Sequence, residues 1–273
     1  MNKSLIALAL VGAFAVPAFA QTAAPATETA PAAEAGPHTL TGNVGLFSEY
    51  RFRGIAQTFA KPALQGGFDY SHSSGIYVGN WNSNVNSGAG FPNSNLEMDF
   101  YGGYKMAFGD FGIDVGGIYY YYPGSEWNNR SVKNGELYIG GSWKFLSAKY
   151  FYAVTDYFNA KGPNGESTDG TGYFDLSANF DLGNGWGING HIGYLDFKKV
   201  SNADYTDWKL GVTKDINGWV VGLAYIDSTA KGDCSKGQFY CFSNSLDTTG
   251  TQNGSKVMNA GRATGILSVS KTF

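Results

Sequence analysis

From Leu40 onward, apolar and polar positions alternate with a period of two, the signature of strands that present one apolar and one wet face. Leu96, Met98, Phe100, Tyr104, Met106 and Phe108 alternate with Glu97, Asp99, Tyr101, Lys105 and Ala107. The pattern recurs where Leu137, Ile139, Trp143 and Phe145 face away from Glu136, Tyr138 and Lys144. It returns where Phe174, Leu176 and Phe180 face away from Asp175, Ser177 and Asp181. About twelve such segments are predicted, starting near residues 40, 62, 75, 96, 110, 135, 147, 172, 185, 204, 218 and 262. Short turns are predicted at Ser73-Ser74, Gly109-Asp110, near Leu146-Ser147, at Gly183-Asn184 and at Asn217-Gly218. Longer polar stretches lie at 52–61, 84–95, 123–134, 158–171, 199–203 and 229–261. Short and long connections therefore alternate, which describes an all-β, up-and-down antiparallel barrel with turns at one end and loops at the other. Transmembrane barrels of outer membranes have this asymmetry, with short periplasmic turns and longer external loops.

Alternation alone does not say which face is inside, because a soluble barrel and a membrane barrel differ only in where the apolar side chains point. The export signal, the aromatic girdles and the terminal Phe273 together decide for the membrane. Residues 1–20 carry Lys3, an apolar run from Leu5 to Val16 and Ala18-Phe19-Ala20, a secretory signal peptide with a small-x-small cleavage site. Residues 21–38 follow as a flexible periplasmic leader of Ala, Pro, Thr and Glu, too poor in apolar side chains to offset ordering entropy. The barrel is assigned to 39–273. Aromatic residues gather at strand ends (Trp81, Tyr119 to Tyr122, Trp143 with Phe145, Trp186, Trp208 and Trp219), as in interfacial girdles. The chain closes on an amphipathic strand ending in Phe273. A terminal aromatic of this kind resembles the signal read by barrel-assembly machinery, although Lys271 stands where an apolar residue is usual.

Composition agrees. Of 273 residues 39 are Gly, with 19 Phe, 6 Trp and 18 Tyr, a profile unlike that of disordered chains or helical bundles. The net charge of −3 offers no cationic surface for nucleic acid.

Three early segments carry a specific likeness: Ser48-Glu49-Tyr50-Arg51-Phe52-Arg53-Gly54-Ile55-Ala56-Gln57-Thr58, Pro62 to Tyr70, and Gly75-Ile76-Tyr77-Val78-Gly79 with Trp81, Ser83 and Asn84. With Glu97 to Tyr104 and the closing Ser268 to Phe273, the order of motifs resembles the TorF-type porin family of Gram-negative bacteria. The resemblance implies a barrel in the outer membrane that acts as a pore, and names no solute.

Parity assigns the inward set: Asn43, Glu49, Arg51 and Arg53 on the first strand, Gln65 and Asp69 on the second, Glu97, Asp99 and Lys105 on the fourth. Asp114, Glu136, Lys144, Lys149, Asp175, Asn189, His191, Asp207, Lys209 and Arg262 continue it. The functional expectation is a narrow charged lumen for passive diffusion of small polar or charged solutes, with outer-membrane lipid outside and no cofactor or metal. The alternative is a non-conducting structural or adhesin barrel in which the same charges pair into a plug. Arg51 and Arg53 are either a fork for an anionic solute or partners of Glu49, Glu97 and Asp99. Catalysis as an outer-membrane hydrolase rests on His191 with Ser177, which share a face but lack an oxyanion motif. Cys234 and Cys241, with six residues between them in the longest loop of an exported chain, are expected to form a disulfide. The oligomeric state stays open.

Overall fold

The computed structural model describes residues 36–273; the predicted signal peptide and residues 21–35 of the predicted leader lie outside them. Twelve strands form the wall: β1 (His38–Phe47), β2 (Ala63–His72), β3 (Ile76–Asn84), β4 (Leu96–Phe108), β5 (Phe111–Trp127) and β6 (Arg130–Trp143) in the first half. The second half consists of β7 (Leu146–Ala153), β8 (Gly172–Gly183), β9 (Trp186–Asp196), β10 (Tyr205–Ile216), β11 (Trp219–Ser228) and β12 (Thr264–Thr272). Each strand pairs antiparallel with the next, and β12 returns to β1 in the register Asn43↔Thr272 to Phe47↔Ser268, which closes the barrel. β1 begins at His38, the last residue of the predicted leader, which pairs with His72.

Turn chemistry sets the hairpins. Asn217 and Gly218 both take positive φ, as do Asn184 and Gly185, the combination a two-residue turn needs to match the twist of its strands. The predicted turn at Gly183-Asn184 therefore lies one residue later, and the one near Leu146-Ser147 falls instead at Lys144 and Phe145. The long loop predicted at 123–134 is not a loop. Asn128 and Asn129 also take positive φ, so β5 and β6 run on as a projecting hairpin, interrupted by a register shift between Tyr121 and Glu126.

Along the wall the apolar positions point out. Leu40, Leu64, Phe68, Leu137, Ile139, Leu210, Leu223 and Leu267 are all exposed, and cross-strand partners such as Val115↔Ile139 and Leu223↔Leu267 join them into a continuous belt. A belt of this extent on a monomer is the surface of a protein whose surroundings are apolar. At the turn end the belt is edged by Trp143, Phe145, Trp186 and Trp219, all exposed. Lys144, Lys214 and Lys271 stand 5.2, 5.1 and 5.2 Å from the ring centres of Trp143, Trp186 and Trp219. Lys271, the departure from the terminal pattern, thus belongs to this aromatic and lysine rim. Trp81, Tyr120 and Tyr122, predicted as girdle residues, are instead buried inside the barrel, because each shares the inward parity of its strand.

The barrel is filled. Its interior holds Tyr50, Phe52, Trp81, Tyr120, Phe151, Tyr173 and Leu195 in a single cluster with the loops. The long connection 229–263 carries a small two-stranded piece, Cys241–Ser243 with Val257–Asn259, and a disulfide joins Cys234 to Cys241.

Candidate functional site: the barrel lumen

The central feature of the lumen comes from the first long connection. β1 ends at Phe47, so Glu49, Arg51 and Arg53 are not on the first strand, where parity counting had put them. They sit on a segment that folds inward, with a minimal hairpin in which Arg51 pairs Ala56 and Phe52 pairs Ile55. Its tip is Arg53 and Gly54, both with positive φ. A Cβ on Gly54 would stand 2.6 Å from the Asp207 Cβ on β10, so the tip abuts β10 and only glycine fits there.

Arg53 donates two parallel hydrogen bonds to Glu136 of β6, 2.9 and 2.7 Å long, and a third to the Tyr157 hydroxyl at 3.0 Å. Its guanidinium lies 4.3 Å from the Tyr173 ring centre and 5.0 Å from that of Phe151. A planar, weakly hydrated cation suits such a bed of rings. Arg51 donates to the carbonyls of Gly54, Ala260 and Arg262 and pairs with Glu49 at 3.1 Å. Both arginines are thus engaged by the protein itself. Arg51 meets Glu49 as the pairing alternative expects, while Arg53 meets Glu136 rather than Glu97 or Asp99.

Toward the turn end the inward charges pair in smaller groups. Lys149 meets Asp114 at 2.7 Å. His191 stands between Asp175 and Asp207, with Nδ1 2.5 Å from one and Nε2 2.7 Å from the other. Ser177 donates to Asp175 at 2.7 Å and not to His191, so the pair that nucleophilic catalysis would need is not formed. Lys105 lies 4.4 Å from the Tyr77 ring centre, and Lys209, Asn43, Gln65 and Asn189 also face inward. Lys144 does not: it is an exposed turn residue beside Asp110. Arg262 precedes β12 in the last long connection and lies 3.5 Å from Glu49.

The carboxylates have partners that counting charges missed. Tyr101 donates to Asp69 and Tyr77 to Asp114, both at 2.6 Å, Tyr173 donates to Asp207 at 2.9 Å, and Tyr50 donates to Glu97 at 3.2 Å. Tyr101 and Tyr173 share the parity of the acids on their own strands, so the signal was present, but the inward set was drawn from charged and amide side chains and left the tyrosines out. Glycine makes room for these rings: a Cβ on Gly193 would stand 2.0 Å from the Tyr173 hydroxyl. Glu97 and Asp99 are almost wholly buried, at 1% and 0% exposure, and neither Asp99 oxygen has a hydrogen-bond partner. Tyr120, Asn134 and Phe151 likewise expose nothing, so water does not reach this part of the interior in this conformation of the described residues.

Two solved porins share the fold. A porin named NanC aligns over 86% of this chain and 99% of its own at 10% identity, with a TM-score of 0.50. The KdgM porin aligns over 85% and 99%, also at 10% identity and a TM-score of 0.50. At that identity the likeness is one of fold. No curated protein matches the chain. Residues 31–258 match the family described as "Bacterial protein of unknown function (Gcw_chp)", and the chain belongs to that family.

Proposed function

We propose that this protein is a porin-like channel of the outer membrane, closed in the state described, which passes small polar or charged solutes when the segment 48–62 leaves the lumen. The observation that carries this reading is the inversion of polarity: an apolar belt outside and ionic side chains inside. The fold shared with two porins supports it. Signal peptide, leader and terminal Phe273 support the location and handling by barrel-assembly machinery. Asp69, Glu97, Asp99, Lys105, Asp114, Glu136, Lys149, Asp175, His191, Asp207 and Lys209 would line the opened path, and Glu49 would leave it with the segment.

The closing segment is held without a covalent link, by Arg53 with Glu136, by Arg51 with backbone carbonyls and by burial of Tyr50, Phe52 and Ile55. The polar contacts among these can be exchanged for water and solute. Single-channel recording in planar bilayers tests the reading. Brief, low-frequency openings are expected for the unaltered barrel and longer ones after Arg53→Gln with Glu136→Gln. A barrel that stays silent in both forms would be a structural or adhesin barrel, the reading favoured by the full burial of Asp99 and Phe151.

A further inference from the structure

At the loop end, above the inward hairpin, the connections enclose a cavity of about 540 Å³ that neither the channel reading nor the family assigns. Its volume is that of a small-molecule site, within the roughly 300–1,000 Å³ typical of such pockets. Its walls are aromatic: Phe52, Phe91, Phe158, Phe197 and Phe242 come from five different connections, and Trp127 from the end of β5. Phe158 is the centre of this lining. Its ring centre lies 5.4 Å from Phe52, 5.3 Å from Tyr120, 6.1 Å from Tyr122 and 4.7 Å from Tyr157. The residue holds φ 48 and ψ 42, a left-handed conformation costly for a bulky side chain and kept where the surroundings over-determine it, as in ligand clamps.

The polar groups of the cavity narrow the ligand class. Gln57, Asn159 and Gln252 line it, and each already donates one amide N–H to a backbone carbonyl, of Ile55, Trp127 and Cys241. The charged lining residues are Arg130 and Lys161, with no Asp or Glu among the described residues that line it. Lys161 is already paired with Asp156. Arg130, exposed at the start of β6, has no ion pair among the described residues. An apolar aromatic chamber with an exposed guanidinium at its edge fits a flat apolar body bearing a single anionic group.

We infer that this loop-end chamber binds a small aromatic carboxylate, its ring among Phe52, Phe91 and Phe158 and its carboxylate on Arg130. The site stands whether or not the barrel conducts, so binding is measured without current. The full barrel is placed in lipid nanodiscs and titrated calorimetrically with 2-naphthoate and with the neutral 2-naphthylmethanol, with empty nanodiscs as the blank. Saturable one-to-one binding of naphthoate above the blank is expected. Arg130→Gln, at an exposed position, should weaken naphthoate about fivefold while leaving the alcohol unchanged. Ala160→Trp, which fills the chamber from its wall, should remove both, with heat-shifted gel mobility checking that each variant is folded. Absence of saturable binding would overturn the proposal. So would equal loss of acid and alcohol in Arg130→Gln, or full binding in folded Ala160→Trp.

Discussion

Arg53 and Glu136 meet across the lumen in a two-pronged ion pair, 2.9 and 2.7 Å, with both side chains about 1% exposed. The pair ties the tip of an inward-folded connection to the opposite wall, so one contact both closes the interior and anchors the segment that closes it. A buried pair gains little over a well-packed apolar substitute, but losing one partner strands the other. Arg53→Gln alone is therefore expected to lower the stability of the barrel by about 3 kcal/mol, and Arg53→Gln with Glu136→Gln to recover most of that loss. Urea unfolding in detergent, followed by tryptophan fluorescence, measures both. Additive losses in the double variant would show that the two side chains do not act as a pair.

The same contact bears on ion selectivity. Arg51 and Arg53 are consumed by Glu49, Glu136 and main-chain carbonyls, and neither offers its fork to a solute in this conformation. Replacing both with Gln should raise conductance without a shift in reversal potential toward cations under a salt gradient. A shift toward cations would return the arginines to the role of an anion filter.

The strand count, the segment starts and the outward belt were legible because a membrane barrel writes them into every second residue. What parity could not supply is anything that leaves the wall. Glu49, Arg51 and Arg53 continue the alternation of β1 past Phe47, so counting placed them on the strand, while the positive φ of Arg53 and Gly54 turns the chain inward. Trp81 was misplaced for the opposite reason: it obeys parity, and its apolar character suggested lipid. The loop-end chamber draws its walls from connections distant in sequence, and no local pattern brings Phe52, Phe91 and Phe158 together.

Glycine under an inward ring predicts a sharp positional contrast. At Gly193 an added methyl would meet the Tyr173 ring and hydroxyl at 2.5 and 2.0 Å, and that ring is itself pinned beneath Arg53. At Gly141 the nearest atom is a carbonyl oxygen 3.8 Å away. Gly193→Ala should cost about 2 kcal/mol and Gly141→Ala close to nothing, read as urea midpoints. Equal effects at both would mean that strand propensity, not the ring, sets the need for glycine.

The disulfide acts on its loop and not on the wall. Cys234 and Cys241 close a short ring outside the twelve strands, beside Tyr240, whose hydroxyl donates to the Ala203 carbonyl at 2.5 Å. Constraining a ring of this size contributes about 2.5 kcal/mol to local order in the chain-entropy account. Replacing both cysteines with Ser should leave barrel melting unchanged and expose 229–263 to limited proteolysis. A lowered melting temperature with no new cleavage would place the effect in the barrel instead.

The connection between β7 and β8 should respond to acid in a defined direction. Burial pushes the Asp156 carboxyl up, but Lys161, the Ser167 hydroxyl at 2.6 Å and the Thr168 amide at 3.0 Å outweigh it and hold the group below its ordinary value. A carboxylate with a depressed folded pKa stabilises its loop fully above the unfolded value of about 4, and that stability is lost as pH falls through the lower folded value. Protection of the Thr168 amide from hydrogen exchange should therefore be level from pH 7 to 5 and decline below about pH 4, relative to amides of β8. Asp156→Asn should already show the lowered protection at pH 7 and remain flat in acid. Protection that falls near pH 6, or an unchanged profile in the variant, would assign the order of this loop to packing of Tyr157 and Phe158 rather than to the carboxylate.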